Sequence, residues 1–121
     1  MRTEYDRQEQ YERARSVLIS GESLYGVYDL VDEPVGMLAV TDLRLLFSVD
    51  GQVISLPYSR LRAIATVDDG DSLIAGDAIT FFAAGQSWTL RLAHAEKLAK
   101  AYRLIARNLL QQEASGLSLG L

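Results

Sequence analysis

The chain has 121 residues, 49% of them hydrophobic, no cysteine and a formal net charge of −4. That length suits one domain with one core, and the apolar content excludes a disordered chain. The lack of cysteine excludes a disulfide framework and thiolate metal sites, and the negative charge argues against nucleic acid or anionic lipid as the main partner.

The first residues, Met-Arg-Thr-Glu-Tyr-Asp-Arg, are too charged for a signal peptide, and no apolar run approaches the ~20 residues that span a bilayer. A soluble, cytoplasmic protein is expected. Residues 1–20 read as a helical extension. Tyr11, Ala14 and Leu18 fall at i, i+3 and i+7, a narrow apolar stripe, and Ser20-Gly21 is the expected stop.

Seven short strands follow between residues 24 and 92. Leu24 to Val31 is the first, and Asp32-Glu33-Pro34-Val35-Gly36 is its turn. Met37 to Thr41 is the second. Leu43 to Val49 and Gln52 to Leu56 flank Asp50-Gly51, the pair that best tolerates a type I′ hairpin turn. Within this hairpin Leu43, Leu45, Phe47 and Val49 alternate with Arg44, Leu46 and Ser48, the period of a half-buried strand. Arg62 to Val67, Ala78 to Ala83 and Ser87 to Leu92 complete the set, with Trp88, Leu90 and Leu92 on one side of the last. Close spacing of short strands predicts a sandwich or barrel.

After Leu92 the period changes. Leu98, Tyr102, Ile105 and Leu109 recur at i, i+4, i+7 and i+11, which predicts an amphipathic helix over 93–113. Lys97, Lys100, Arg103 and Arg107 fall on nearly the opposite face, and Glu96 precedes Lys100 in the favourable ion-pair order. Residues 114–121 read as a tail in which Leu117, Leu119 and Leu121 alternate, suited to adding a strand to an exposed edge. The domain proper is expected over 21–113.

Three segments carry a family resemblance: Ser20-Gly21-Glu22, Met37-Leu-Ala-Val-Thr-Asp-Leu-Arg-Leu-Leu-Phe47 and Ile54-Ser-Leu-Pro-Tyr-Ser-Arg-Leu61. In this order and spacing, with the Trp88 strand and the helix after it, they resemble the bacterial pleckstrin-homology (PH)-like and GRAM-like domains, over about Gly21 to Leu110. The resemblance implies an α+β fold: a seven-stranded antiparallel sandwich or barrel, one end capped by the C-terminal amphipathic helix. It implies binding of phosphoinositides, peptides or other proteins.

The residues that bear on chemistry argue against an enzyme. His94 is the only histidine and has no cysteine beside it, so a solvated or capping role is expected. Asp68, Asp69, Asp71 and Asp77 cluster in and beside a loop but lack calcium-loop spacing, so an acidic turn is expected. Ser20, Ser55, Ser59 and Ser72 have no nucleophile context, and no phosphate-binding glycine motif is present. No cofactor and no metal site is expected.

Lipid-binding PH domains place basic residues at the first hairpin, whereas this one carries Asp29, Asp32 and Glu33, which repel a phosphorylated head group. The expected function is therefore a non-catalytic module acting through protein–protein contacts, with self-association as a homo-oligomer. The alternative is a membrane adaptor using the basic helix face or Arg60 and Arg62. The weak candidate surface is Arg60, Arg62, Lys97, Lys100, Arg103 and Arg107. Trp88 and Tyr102 are expected in the core.

Overall fold

The structure, a computed structural model, describes residues 3–31, 33–66 and 77–119, with all their side chains except those of 33–35 and 113–119. Val67, the acidic residues Asp68, Asp69 and Asp71, Ser72 and Leu121 lie outside the described residues, as do the side chains of Asp32, Glu33, Leu117 and Leu119.

The order of elements is β1 (Glu4–Tyr5), α1 (Gln8–Ser16), β2 (Leu24–Leu30), β3 (Glu33–Thr41), β4 (Arg44–Val49), β5 (Gln52–Pro57), β6 (Ala63–Thr66), β7 (Ala78–Ala83), β8 (Gln86–Arg91) and α2 (Leu98–Leu119). Strands β1 to β5 form one sheet in sequence order, and β6 to β8 form a second. Every pairing is antiparallel except that of β1 with β2. The sheets join at one corner, where Leu30 bridges Leu92, Val31 N–H donates to Arg91 O at 2.9 Å and Ala93 N–H donates to Asp29 O at 2.8 Å.

The hairpin is built as its sequence demands. Asp50 and Gly51 have φ of +50° and +78°, the positive values of a type I′ turn, and Val49 faces Gln52 across it. Inside the barrel Leu45 and Phe47 are fully buried, with Phe81 and Trp88 against the Phe47 ring at centroid distances of 5.3 and 5.5 Å. Leu98, Ala101 and Ile105 of α2 enter the same cluster, so the helix closes this core.

Expectations about phase and length are corrected at several places. Leu43 precedes β4 and is 41% exposed, and Trp88, Tyr102 and Leu109 are only partly buried. Ala101 and Asn108 occupy the buried seam of α2 beside Leu98 and Ile105, because residues three and four apart share one helix face and only the face turned to the core is covered. The helix also starts later, after a 3₁₀ turn at Ala95–Lys97. It runs to Leu119, so residues 114–119 continue it and do not form a strand.

The N-terminal region differs most. The first residues form β1 rather than helix, and α1 ends at Ser16, before Ser20-Gly21. Leu46, expected on a polar face, is 2% exposed. It packs with Leu24, Val27, Met37 and Ala39 beneath Ala14, while Tyr11 and Leu18 flank them. The centre of the first sheet, β2 to β4, is thus buried on both faces. The uninterrupted apolar run Met37 to Val40 is its signature, since a strand covered on both sides has no polar face to alternate with. The α1 stripe is covered by its own chain, which removes the reason to seek a neighbour for it.

The motif residues meet in one network. Glu22, with a fully buried side chain, binds Arg44 through two bonds of 2.9 Å and accepts from the Thr41 hydroxyl at 2.7 Å and the Ile19 amide at 3.1 Å. Arg44 also donates to Val17 O and to the Ser55 hydroxyl, at 3.0 and 3.1 Å. Thr41 Oγ1 accepts from the amides of Leu43 and Arg44, and Tyr58 Oη donates to Thr41 O at 2.7 Å. Burial alone would raise the Glu22 pKa. The hydrogen bonds from Arg44, Thr41 and Ile19 outweigh it and hold the carboxyl below its ordinary value of 4.5.

Two outcomes are expected. Phe47→Ala should cost about 3–5 kcal/mol and the partly buried Trp88→Ala about 2–3 kcal/mol, read from urea denaturation; equal costs would contradict the burial difference. A carboxyl whose folded pKa is depressed contributes stability above its unfolded pKa and loses it as pH falls through the folded value. Glu22→Gln should therefore cost about 2–3 kcal/mol at neutral pH and flatten the decline in stability as pH falls below about 5. An unchanged stability–pH slope would sink that reading.

Candidate functional site

A groove runs between the N-terminal segment and α2. Thr3 donates from Oγ1 to Leu24 O at 2.7 Å, and Asp6 N–H donates to Val27 O at 3.2 Å, which seats β1 along β2. The Asp6 carboxylate accepts the Asp29 amide at 2.8 Å and pairs with Lys97; its side chain is 2% exposed. Glu4 pairs with Lys100, and Arg7 Nε lies 2.7 Å from Asp29 Oδ2. The segment is tied to both the sheet and the helix by opposite charges. Bonding to Asp6 raises the Lys97 pKa.

The basic row from the Ala95–Lys97 turn into α2 is therefore not a uniformly solvated face. Lys97 and Lys100 are engaged by Asp6 and Glu4, whereas Arg103 and Arg107 have no hydrogen bond or ion pair among the described residues. Those two guanidinium groups border a cavity of about 390 Å³ lined also by Glu4, Tyr25, Tyr28, Lys100 and Leu104. A second cavity of about 480 Å³ adjoins it, lined by the segment Thr3 to Asp6 with Lys97, and shares Glu4, Tyr28 and Lys100.

Tyr28 forms the floor common to both cavities. Its ring lies against Gly26, where a Cβ would come within 2.9 Å of Cε2 and Oη, so only glycine admits this placement. The residue is 2% exposed, and its hydroxyl has no hydrogen-bond partner among the described residues. Burial first, then the charges of Glu4 and Asp6, push its pKa up to about 12, so the group stays a protonated donor.

The remaining candidates lie elsewhere. Arg60 is exposed at the end of the Tyr58–Arg60 turn. Arg62 borders a separate cavity of about 280 Å³ with Tyr58, Ser59, Leu61, Leu109 and Gln112. Asp77 pairs with Arg91 at 3.1 Å. Asp29, expected to repel a head group, has a side chain only 9% exposed and is paired with Arg7, so its charge is neutralised. Ser48 and Ser55 serve the scaffold, accepting from the Met37 amide and from Arg44.

His94 precedes the Ala95–Lys97 turn, with Nδ1 3.9 Å from Glu96 Oε1. It is less isolated than expected: donor atoms of Asp6, Asp29 and His94 all lie within 4.8 Å of one another. Both carboxylates already face a cation, Lys97 and Arg7. Sequence reasoning missed this knot, and missed that Glu4 to Asp6, Tyr25 and Tyr28 meet the last helix, because the segments brought together are far apart in the chain. The 3-3-4 spacing of Lys97, Lys100, Arg103 and Arg107 was the one visible signal.

The two buried tyrosines should respond oppositely to loss of the hydroxyl. Tyr58→Phe breaks the bond to Thr41 O and should cost about 1–2 kcal/mol, whereas Tyr28→Phe removes an unsatisfied group and should be neutral or stabilising by about 1 kcal/mol. Chemical denaturation of both variants checks this; equal losses would show that the Tyr28 hydroxyl is satisfied in solution.

No protein-family model and no curated protein sequence matches the chain. Solved structures resemble it. The pleckstrin homology domain from Shewanella amazonensis SB2B is 20% identical, with a TM-score of 0.54 over 81% of this chain and 83% of that one. A DUF1696 family protein with a pleckstrin-homology domain from Shewanella loihica PV-4 is 16% identical, with a TM-score of 0.57 over 86% and 97% of the two chains. The C-terminal domain of an unknown protein from Leishmania infantum is 13% identical, with a TM-score of 0.52 over 85% and 94%. Identities this low speak to architecture alone, and the architecture is that of a PH-like α+β fold, its two sheets closed by a C-terminal helix.

Proposed function

We propose that this chain is a non-catalytic PH-like interaction module that works in the cytoplasm through protein–protein contacts made at the groove between β1 and α2. The observation that carries the reading is the pair of exposed, unengaged guanidinium groups, Arg103 and Arg107, on the border of a cavity with an aromatic floor. Such a surface combines a charged clamp with apolar contact area, as protein-recognition sites do. Among the described residues no helix is long and apolar enough to cross a membrane.

The membrane-adaptor alternative is weaker on the same residues. Lys97 and Lys100 answer to Asp6 and Glu4, and Arg62 borders a different cavity, so the six basic candidates do not form one cationic plane. Self-association is the finer form of the protein-binding reading, with a second copy in the groove.

Three measurements test this. Co-sedimentation with vesicles of phosphatidylcholine and phosphatidylserine should leave the protein in the supernatant at physiological salt; sedimentation would favour the adaptor. Partner capture should be lost in an Arg103→Glu/Arg107→Glu variant and kept in Arg60→Glu/Arg62→Glu; the reverse pattern would move the surface away from the groove. Light scattering of the full chain should show a dimer that the first variant dissociates if the partner is a second copy, and a monomer if it is another protein.

A further inference from the structure

We infer that the groove is a docking site for an extended acidic peptide segment, its main chain running along the free edge of β1 and its carboxylates on Arg103 and Arg107. This rests on the protein-binding reading above and names the chemistry of the partner.

Charge is the first argument. The chain carries a net charge of −4, yet the cavity bordered by Arg103 and Arg107 sets one carboxylate, Glu4, against three cations. Arg103 and Arg107 stand four residues apart, so two like charges neighbour one another on one helix face and destabilise it. A bound carboxylate relieves that repulsion, and guanidinium groups take carboxylates through paired, directional hydrogen bonds.

The second argument separates a peptide from a polyphosphate or a lipid head group. The adjoining cavity is balanced, with Glu4 and Asp6 against Lys97 and Lys100. A ligand carrying several negative charges in one compact group would bring some of them against those carboxylates. An extended peptide separates its charges: acidic side chains at the arginine end and uncharged main chain along the segment Thr3 to Asp6.

Backbone geometry is the third. β1 is the first strand of its sheet and among the described residues pairs only with β2, so its other edge can receive a strand. On the neighbouring β2 the Tyr28 hydroxyl is a donor without an acceptor among the described residues, buried at the floor that both cavities share. A carbonyl of the incoming chain provides the missing acceptor.

The test is fluorescence anisotropy on the full chain with a fluorescein-labelled peptide of about ten alternating Glu and Ala residues, long enough to run the groove at about 3.3 Å per residue. Saturable binding is expected at about 50 mM salt, weakened at about 300 mM as charges are screened. A Lys-for-Glu version of the peptide should not bind. Arg103→Glu/Arg107→Glu should weaken binding by at least about tenfold, and Tyr28→Phe by a smaller factor at equal or greater stability. Thermal melts should show both variants folded, and Arg60→Glu/Arg62→Glu should bind as the parent does. Absence of binding, or binding undiminished in either groove variant, overturns the inference. Inositol hexakisphosphate binding at Arg103 and Arg107 in preference to the peptide overturns it in favour of a phosphorylated ligand. If partner capture depends on Arg103 and Arg107 while the acidic peptide fails, the module reading stands and only the peptide chemistry falls.

Discussion

The buried Glu22–Arg44 pair is the constraint on which the first half of the molecule depends. One carboxylate holds both ends of a guanidinium at 2.9 Å, and that guanidinium reaches the chain after α1 at Val17 and the neighbouring strand at Ser55. The segment leaving α1, the β3–β4 corner and β5 are thereby fixed together. A charge this far from water costs desolvation that the pair alone does not clearly repay, so its contribution is better seen in placement than in net stability. It sets where α1 ends over the outer face of the sheet, and so which residues of that face are dry. The Gly-Glu and Thr-Asp-x-Arg segments are explained by this scaffold role and need no ligand.

A second set of ion pairs decides the surface. Asp6 with Lys97 and Glu4 with Lys100 tie the N-terminal segment to α2, and Arg7 with Asp29 ties it to β2. These pairs consume two cations of a four-residue row and leave Arg103 and Arg107 unengaged beside a cavity. An acidic chain thus presents a locally positive groove without any excess of basic residues overall. Net charge governs long-range encounter, but the short-range field at a docking site is set by which charges are already neutralised by neighbours.

Architecture and use are separate matters in such a fold. Neighbours at 13–20% identity share the two sheets and the closing helix, and no more can be carried from them to this chain. The groove itself is the work of particular residues of this chain: Gly26, which admits the Tyr28 ring, and the strand β1, which builds one wall. The knot of Asp6, Asp29 and His94 has the same origin, since it exists only because β1 and the turn before α2 meet at β2.

The sequence by itself determined the features whose causes are local. Asp50-Gly51 specified its hairpin because positive φ is a property of those two residues, and the strand series and the amphipathic α2 followed from period alone. The PH-like order was legible for the same reason, as a succession of local elements. Tertiary structure alone decided the rest. Alternation placed Leu46 with Arg44 and Ser48 on a wet face, but α1 covers that face, and no local rule states that a helix will return to it. Lys97 and Lys100 read as solvated because their partners, Asp6 and Glu4, lie more than 90 residues earlier. The helix stripe predicted Leu98 and Ile105 correctly and overstated Tyr102, since which side chains of the stripe are covered depends on the surface the helix meets. Period and turn chemistry act over a few residues. Burial, ion pairing and cavities are properties of surfaces brought together, and they exist only once the chain has folded.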